Sequence, residues 1–334
     1  MKKSTKVRFP SNIALVKYWG KHGNQLPMNA SLSLTLQHAY TELELEAIEK
    51  DGADATFEYF FEGVQNDAFG QRVLTYLQNQ PEFAEFLHQH TIKINSHNSF
   101  PHSTGIASSA SAFAAIAAAF AKTIGITKNF SQEVSRLARL GSGSACRSIY
   151  GPFTSWGKLD GIDGTSDEYA SPVQHIHPNF QDMQDAILII EDTPKKVSSS
   201  VGHGLMKNHP FAEARFKQAN QHCIEMFSTL ERGDFEQFIG IVEREALSLH
   251  AMMMTSEAYY LLIRPNTIEV MEKVMQFRQE TQLPICFTLD AGPNVHLLYP
   301  SSIQDKVLLF IANELKPFTK NILYDRNGVG GIFL

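Results

Sequence analysis

The chain has 334 residues, long enough for roughly two domains of about 150 residues each. With 43% hydrophobic and 19% charged residues it has the composition of a globular protein, not a disordered one. A formal net charge of −6 gives no general attraction to nucleic acid or to an anionic membrane, so an anionic ligand has to be met by a local arrangement. The start, "MKKSTKVRFPSN", is basic but lacks the apolar stretch of a signal peptide. The most apolar run, Ala110 to Ala121, is shorter than the about 20 residues a spanning helix needs. A cytoplasmic protein is expected, with no nucleic-acid or membrane partner. Cys146, Cys223 and Cys286 form neither a CxxC pair nor a zinc spacing and read as free thiols, most of them buried.

In chain order, "TELELEA" (Thr41 to Ala47) alternates Leu with Glu, the period-2 pattern of a strand with one wet face, and "TIKINS" (Thr91 to Ser96) alternates similarly. Between them, Asp67 to Gln78 and Glu82 to His88 read as helices, the second with Pro81 at its start. An alanine-rich run follows Gly105, and a helix over Gln132 to Leu140 has Ser131 as its cap and Gly141 as its stop. A polar segment around Pro172 to Gln184 marks a domain boundary before the apolar strand "AILIIED" (Ala186 to Asp192). Helical patterns then cover Phe211 to Arg232, Phe235 to Leu247 and Thr267 to Glu280. "PICFTLD" and "NVHLLYP" read as paired strands around a glycine turn, and a last helix, Ile303 to Glu314, precedes "NILYD". The pattern is that of two α+β domains.

Four stretches have the residue types for chemistry. In "SFPHSTGIASSASAFAAIAAAFAK", Gly105 permits a tight turn while Ser103, Thr104, Ser108 and Ser109 gather hydroxyls where a helix begins, a setting for phosphate. A tightly packed alanine helix with a serine cap is the plainer alternative. "FTLDAGPN" sets Asp290 at the end of an apolar strand, as a base or as a turn cap. Lys17, between Val16 and Tyr18, is either paired with a carboxylate or phosphate or reaches out to solvent. "GSGSACRSIYG" offers backbone freedom at Gly141 and Gly143, hydroxyls at Ser142 and Ser144, and the planar fork of Arg147. Among thirteen histidines, the pairs His88/His90 and His175/His177 lack a convincing metal-ligand set and read as surface or hydrogen-bonded.

Together, "NIALVKYWGK", "MNASLSLTL", "GIASSAS", "GSGSACRS" and "DAGPN", in this order and at these intervals, resemble the diphosphomevalonate decarboxylases of the GHMP kinase superfamily. The resemblance spans nearly the whole chain. It implies an α+β fold, a two-domain α/β sandwich with a ribosomal-protein-S5-like domain over residues 1–182, a ferredoxin-like domain over 183–334 and a deep cleft between them. It also implies a carboxy-lyase of isoprenoid biosynthesis that converts mevalonate 5-diphosphate to isopentenyl diphosphate with ATP and Mg2+, releasing ADP, phosphate and CO2. A homodimer is a further family expectation.

By the same resemblance, Asp290 is the catalytic aspartate near the substrate 3-hydroxyl, Lys17 the lysine beside it, and Arg147 the arginine that holds the substrate carboxylate. Ser109, with Ser108 beside it, places the ATP phosphates and the magnesium they carry, in a nucleotide loop that includes Ser103, Thr104, Gly105 and Ala107. Asn12, Tyr18, Lys21, Ser142 and Ser144 line the substrate site, and Ser199 and Ser200 lie near a serine segment that reaches the substrate diphosphate. The family loop often reads P-T-A-A-G-L-A-S-S; here it runs P-H-S-T-G-I-A-S-S from Pro101 to Ser109, which implies altered nucleotide contacts. "SSSVGHGLMKN" matches its counterpart loosely. The nearest alternative is a mevalonate 3-kinase or phosphomevalonate decarboxylase. From other classes come a silent ligand-binding paralogue and a serine hydrolase; "GSGSA" is not a G-x-S-x-G elbow.

Overall fold

A computed structural model describes residues 2–50, 56–101, 107–193 and 199–334, the side chains of 199 and 200 excepted. Strand β1 (Lys2–Val16) leads through a small hairpin, β2 (Lys21–His22) and β3 (Leu26–Pro27), into the long strand β4 (Ser31–Glu49), which pairs back on β1. Then come β5 (Phe57–Phe61), β6 (Val64–Gln65), helices α1 (Asp67–Gln78) and α2 (Pro81–Gln89), and β7 (His90–Asn98), which lies parallel to β5. Helices α3 (Ser108–Ile124) and α4 (Phe130–Gly141) precede β8 (Phe153–Trp156) and β9 (Ala170–Pro172). The sheet pairs β1, β4, β7, β5 and β6 in that order, with β8 on the first half of β4 and β9 on β8.

The two halves of β4 meet different surroundings. In "TELELEA", Leu43, Leu45 and Ala47 enter the core while Glu42 and Glu46 face Arg8 and Lys2 across the sheet. Over Ser31 to Leu36 every residue is buried, because this half is covered on both faces. Against the wet-faced half lies α3, buried along almost its whole length: its alanines let Val7, Leu45, Ile94, Phe83 and Val134 close in from all sides.

The second part begins with β10 (Met183–Ile189) and a short helix, α5 (Ser199–Leu205). An antiparallel helix pair follows, α6 (Ala212–Arg232) and α7 (Phe235–Thr255), then α8 (Pro265–Thr281), β11 (Cys286–Thr288), β12 (Val295–Pro300), α9 (Gln304–Phe310), β13 (Asn321–Arg326) and β14 (Ile332–Phe333). The second sheet runs β11-β12-β10-β13, antiparallel throughout. The α6/α7 pair is the layer between the sheets: Ala219, Met226, Phe238 and Ile241 share one core with Ile13, Leu15 and Leu34 on one side and with Ile187 and Leu298 on the other. After β13 the chain returns to the first sheet, where β14 pairs with β1.

Some expectations need correction. Ser131 does not cap α4, which starts one residue earlier at Phe130 after a left-handed Asn129. The helix expected to end at Leu247 runs on to Thr255 and buries Met252 and Met253, and the last helix, expected over Ile303 to Glu314, is α-helical only over Gln304–Phe310 and π-helical over Ile311–Leu315. Gly141 and Gly143 are not in left-handed backbone; their role is close approach. A Cβ at Gly141 would stand 2.1 Å from Phe113 Cδ1, and one at Gly143 would stand 2.9 Å from the Tyr18 hydroxyl. All three cysteines are free and buried, as expected.

Candidate active site

The site grows from the end of β1. Irregularities in the β1/β4 register fall between Pro10 and Asn12 and between Ala14 and Val16, and such bulges turn the strand and re-aim its side chains. Lys17, just beyond, is 1% exposed. Its Nζ donates to Asp290 Oδ1 at 3.0 Å and to the Ala14 carbonyl at 2.6 Å, so the ammonium is paired within the protein and does not reach solvent. Burial pulls its pKa below the usual lysine value, while the Asp290 and Glu245 carboxylates act in the other direction. Asp290 follows β11; its own carbonyl accepts from Gly292 N–H at 2.7 Å and meets His250 Nε2 at 3.1 Å, so rigid backbone holds a carboxylate that keeps 27% side-chain exposure.

Arg147 enters from the 3-10 turn after α4 and is 3% exposed. Its Nη1 donates to Ser31 Oγ at 2.6 Å and its Nε to Asn12 Oδ1 at 3.4 Å, while Asn12 Nδ2 is tied to Ser148 Oγ at 2.9 Å. No carboxylate among the described residues forms an ion pair with it. A buried guanidinium held only by neutral partners, lowered in pKa by burial, is arranged to accept an anion.

Tyr18 packs on Trp156 at 4.6 Å between ring centroids, and its buried hydroxyl has no hydrogen-bond partner among the described residues. Such an orphan marks a place for a ligand oxygen. Lys21 Nζ donates to Gln25 Oε1 at 3.0 Å; burial and the nearby Arg72 lower its pKa. At the start of α3, Ser109 Oγ lies 3.3 Å from Ser142 Oγ, bringing two of the expected hydroxyl stretches together. Among the described residues no side chain caps α3, and Ala107 precedes it in left-handed backbone at φ 43°. Ser108 and Ser109 are half-buried on its first turn. Ser144 is half-buried, and its carbonyl accepts from Asn12 Nδ2 at 3.4 Å. Ser103, Thr104 and Gly105 lie outside the described residues, as do the side chains of Ser199 and Ser200. Among the described residues there is no cluster of three or more His, Cys, Asp or Glu able to hold a metal, and none involves His88/His90 or His175/His177.

Three site residues escape sequence reasoning. Arg72 stands over the Phe113 ring at 4.8 Å with no carboxylate partner among the described residues, adding a cation beside Lys21. His203 stacks between Tyr18 and Trp19, at 4.3 and 4.7 Å, and its Nδ1 accepts the Gly20 N–H at 3.0 Å. Burial, with Lys21 and Arg147 nearby, pushes its pKa down to about 3, so it is a neutral ring. Glu245 accepts the Lys17 N–H at 2.9 Å. A neighbouring histidine or glutamate in a helical pattern carries no signal of such contacts.

Residues 9–170 match the diphosphomevalonate decarboxylase-like N-terminal domain, and residues 186–327 match the mevalonate 5-diphosphate decarboxylase C-terminal domain. The diphosphomevalonate decarboxylase of Candida albicans is 30% identical over 325 residues, spanning 91% of this chain and 86% of that one. The chain belongs to the diphosphomevalonate decarboxylase family. Its backbone superposes on a complex of MDDEF with MVAPP, AMPPCP and magnesium at a TM-score of 0.87, with 28% identity over 100% of this chain and 99% of that one. The mevalonate diphosphate decarboxylase of Enterococcus faecalis, solved for its mevalonate diphosphate-mediated ATP binding, gives a TM-score of 0.85 with 28% identity and the same coverage. This bears out the resemblance and the mixed two-domain GHMP kinase fold expected of a family member. Among the described residues, no helix is long and apolar enough to cross a membrane.

Proposed function

We propose that this site carries out the family reaction, ATP-dependent decarboxylation of mevalonate 5-diphosphate to isopentenyl diphosphate, with Lys17, Asp290 and Arg147 as its chemical centre. The observation that carries this reading is the Lys17–Asp290 pair at 3.0 Å beside Arg147, a buried cation without a carboxylate partner among the described residues. Arg147 would take the substrate carboxylate in its open fork and hold the bond to be cleaved in one orientation. Asp290, fixed at Oδ1 by Lys17, would orient the 3-hydroxyl and receive its proton. Lys17 would steady the negative charge gathering near that oxygen. Tyr18, Lys21 and Arg72, with Ser142, Ser144, Ser199 and Ser200, would line the side that takes the diphosphate; Asn12 would keep Arg147 in place.

The start of α3 suits a nucleotide phosphate: a helix end with no capping side chain among the described residues and two serine hydroxyls on its first turn. Ser109 would direct its hydroxyl oxygen, the donor type magnesium accepts, toward Mg-ATP, and Ser103 to Ser108 would surround the phosphates. When bound, Mg-ATP supplies the phosphoryl group that makes the 3-oxygen a leaving group. The solved relatives with AMPPCP, magnesium and ATP binding support this cofactor pair.

The boundary between the two functional halves falls at residues 182 and 183 in this reading, supported by β10 starting at Met183 and by the two domain matches ending and beginning on either side. The reading includes a homodimer in the cytoplasm, tested by sedimentation and cell fractionation. The deciding assay follows ADP and CO2 together from purified protein with Mg-ATP and mevalonate 5-diphosphate, repeated with mevalonate and its 5-monophosphate. Equal ADP and CO2 from the diphosphate is the expected result. ADP without CO2, or a preference for a shorter substrate, would overturn it.

A further inference from the structure

Beside the reacting pair lies a buried charge cluster to which the proposed reaction assigns no role. Glu245, on α7, has no exposed surface. Its Oε2 accepts the backbone N–H of Lys17 at 2.9 Å. Arg215, on α6, donates to Oε1 at 2.9 Å and also to Oε2, and His222 Nδ1 donates to Oε1 at 2.6 Å. Lys17 is thereby held at three points: its N–H by Glu245, its carbonyl by Asn29 Nδ2 at 2.8 Å, and its ammonium by Asp290. Two of the three belong to the second half of the chain.

We propose that Glu245, clamped by Arg215 and His222, is a positioning residue that fixes the Lys17 backbone so that the ammonium meets Asp290. The inference rests on the reading of Lys17 and Asp290 as the reacting pair. Stability alone does not account for the cluster, since apolar side chains of similar volume often replace buried ion pairs without loss. What an apolar side chain lacks is an acceptor for the Lys17 amide. The carboxylate has a second effect. The charged groups acting on the Lys17 ammonium are Asp290 and Glu245, which favour it, and Arg147, which opposes it. Around Glu245 itself stand Arg215, His222, Lys17 and the Cys223 thiol, and its own pKa is lowered although burial opposes this, because His222 and Arg215 hold the ionised form.

The test uses the full chain with Mg-ATP and mevalonate 5-diphosphate. Wild-type release of ADP and CO2 comes first; without it the reading of the site fails, and this inference with it. Given that release, Glu245→Gln keeps the shape but removes the charge and puts an NH2 in place of one accepting oxygen, facing Arg215 and either the Lys17 N–H or His222. The expected result is kcat lowered by about 10- to 100-fold, the loss that a small misplacement of a reacting group causes, with little change in either KM. The basic limb of kcat should also move to lower pH. Glu245→Asp keeps the charge but draws it back, so kcat should fall while the limb stays. Folded Glu245→Gln with wild-type kcat and an unmoved limb would overturn the proposal. If Glu245→Gln does not fold, Glu245→Asp decides: a lower kcat with the wild-type limb supports the proposal, and wild-type kcat overturns it.

Discussion

At the scale of single residues, the site depends on charges whose burial is tolerable only because of what they face. Asp290→Asn keeps the size of the side chain and the Gly292 turn but cannot take a proton. Binding of ATP and substrate should persist in calorimetry while CO2 release falls by at least about 100-fold, the scale of a lost general base; wild-type turnover would remove Asp290 from the chemistry. Lys17 acts as the ammonium, and burial lowers its pKa. Activity should therefore hold below that lowered value and fall as pH rises through it, a basic limb below the ordinary lysine value of about 10.4. Lys17→Arg, charged throughout, should lose that limb whatever its rate; an unchanged limb assigns it to another group. Lys17 and Asp290 drew attention as charges inside an apolar run or at the end of one, yet the residues alone left each open, and their roles, with that of Arg147, came from the family resemblance; the partner that Lys17 needed is Asp290. Arg72, His203 and Glu245 drew none, because their meaning lies in contacts across the fold: Glu245 lies 228 residues from the amide it holds.

At the scale of elements, periodicity carried the peripheral helices and the one-faced strands. α1 matches its expected bounds, and α2, α6 and α8 differ by a residue or two. What it could not carry was the second half of β1 and the first half of β4, where burial on both faces erases alternation. Helix ends were also hard to read, since α3 and α4 are preceded by Ala107 and Asn129 in left-handed backbone, neither of which caps with its side chain. Gly141 separates two opposing effects. Within a helix, alanine is favoured over glycine by about 1 kcal/mol, yet the new methyl would meet Phe113 Cδ1 at 2.1 Å, and overpacking costs about 1–3 kcal/mol. The clash should win, and Gly141→Ala should melt at a lower temperature than wild type. A higher melting temperature would show that Phe113 can give way.

At the scale of the whole molecule, the halves are joined by more than the α6/α7 layer. The Asp325 carboxylate, on β13, accepts the N–H groups of Gln37, His38 and Ala39 in β4 at 2.8, 2.8 and 2.7 Å. Beyond it, Gly328 N–H donates to the Thr35 carbonyl at 2.8 Å, and β14 closes on β1. Asp325→Ala would leave these three amides of β4, and that of Arg326, without their shared acceptor. The expected loss is about 3 kcal/mol, within the range for hydrogen bonds to a charged group, read as a lower midpoint in urea. A midpoint equal to wild type would mean that water or a neighbour replaces the carboxylate. None of this was visible in "NILYDRNGVGGIFL", which carries no mark of the strand it returns to.

The position of Lys17 also has a consequence in time. Glu245 and Asp290 follow it by 228 and 273 residues, so a ribosome making about 5–20 residues per second completes the second partner roughly 14–55 s after the lysine. Throughout that interval, burying the ammonium would leave a charge without a counterion, which costs several kcal/mol. The nascent first half is thus discouraged from closing over its own future catalytic edge. That edge stays wet until the chain that completes it arrives.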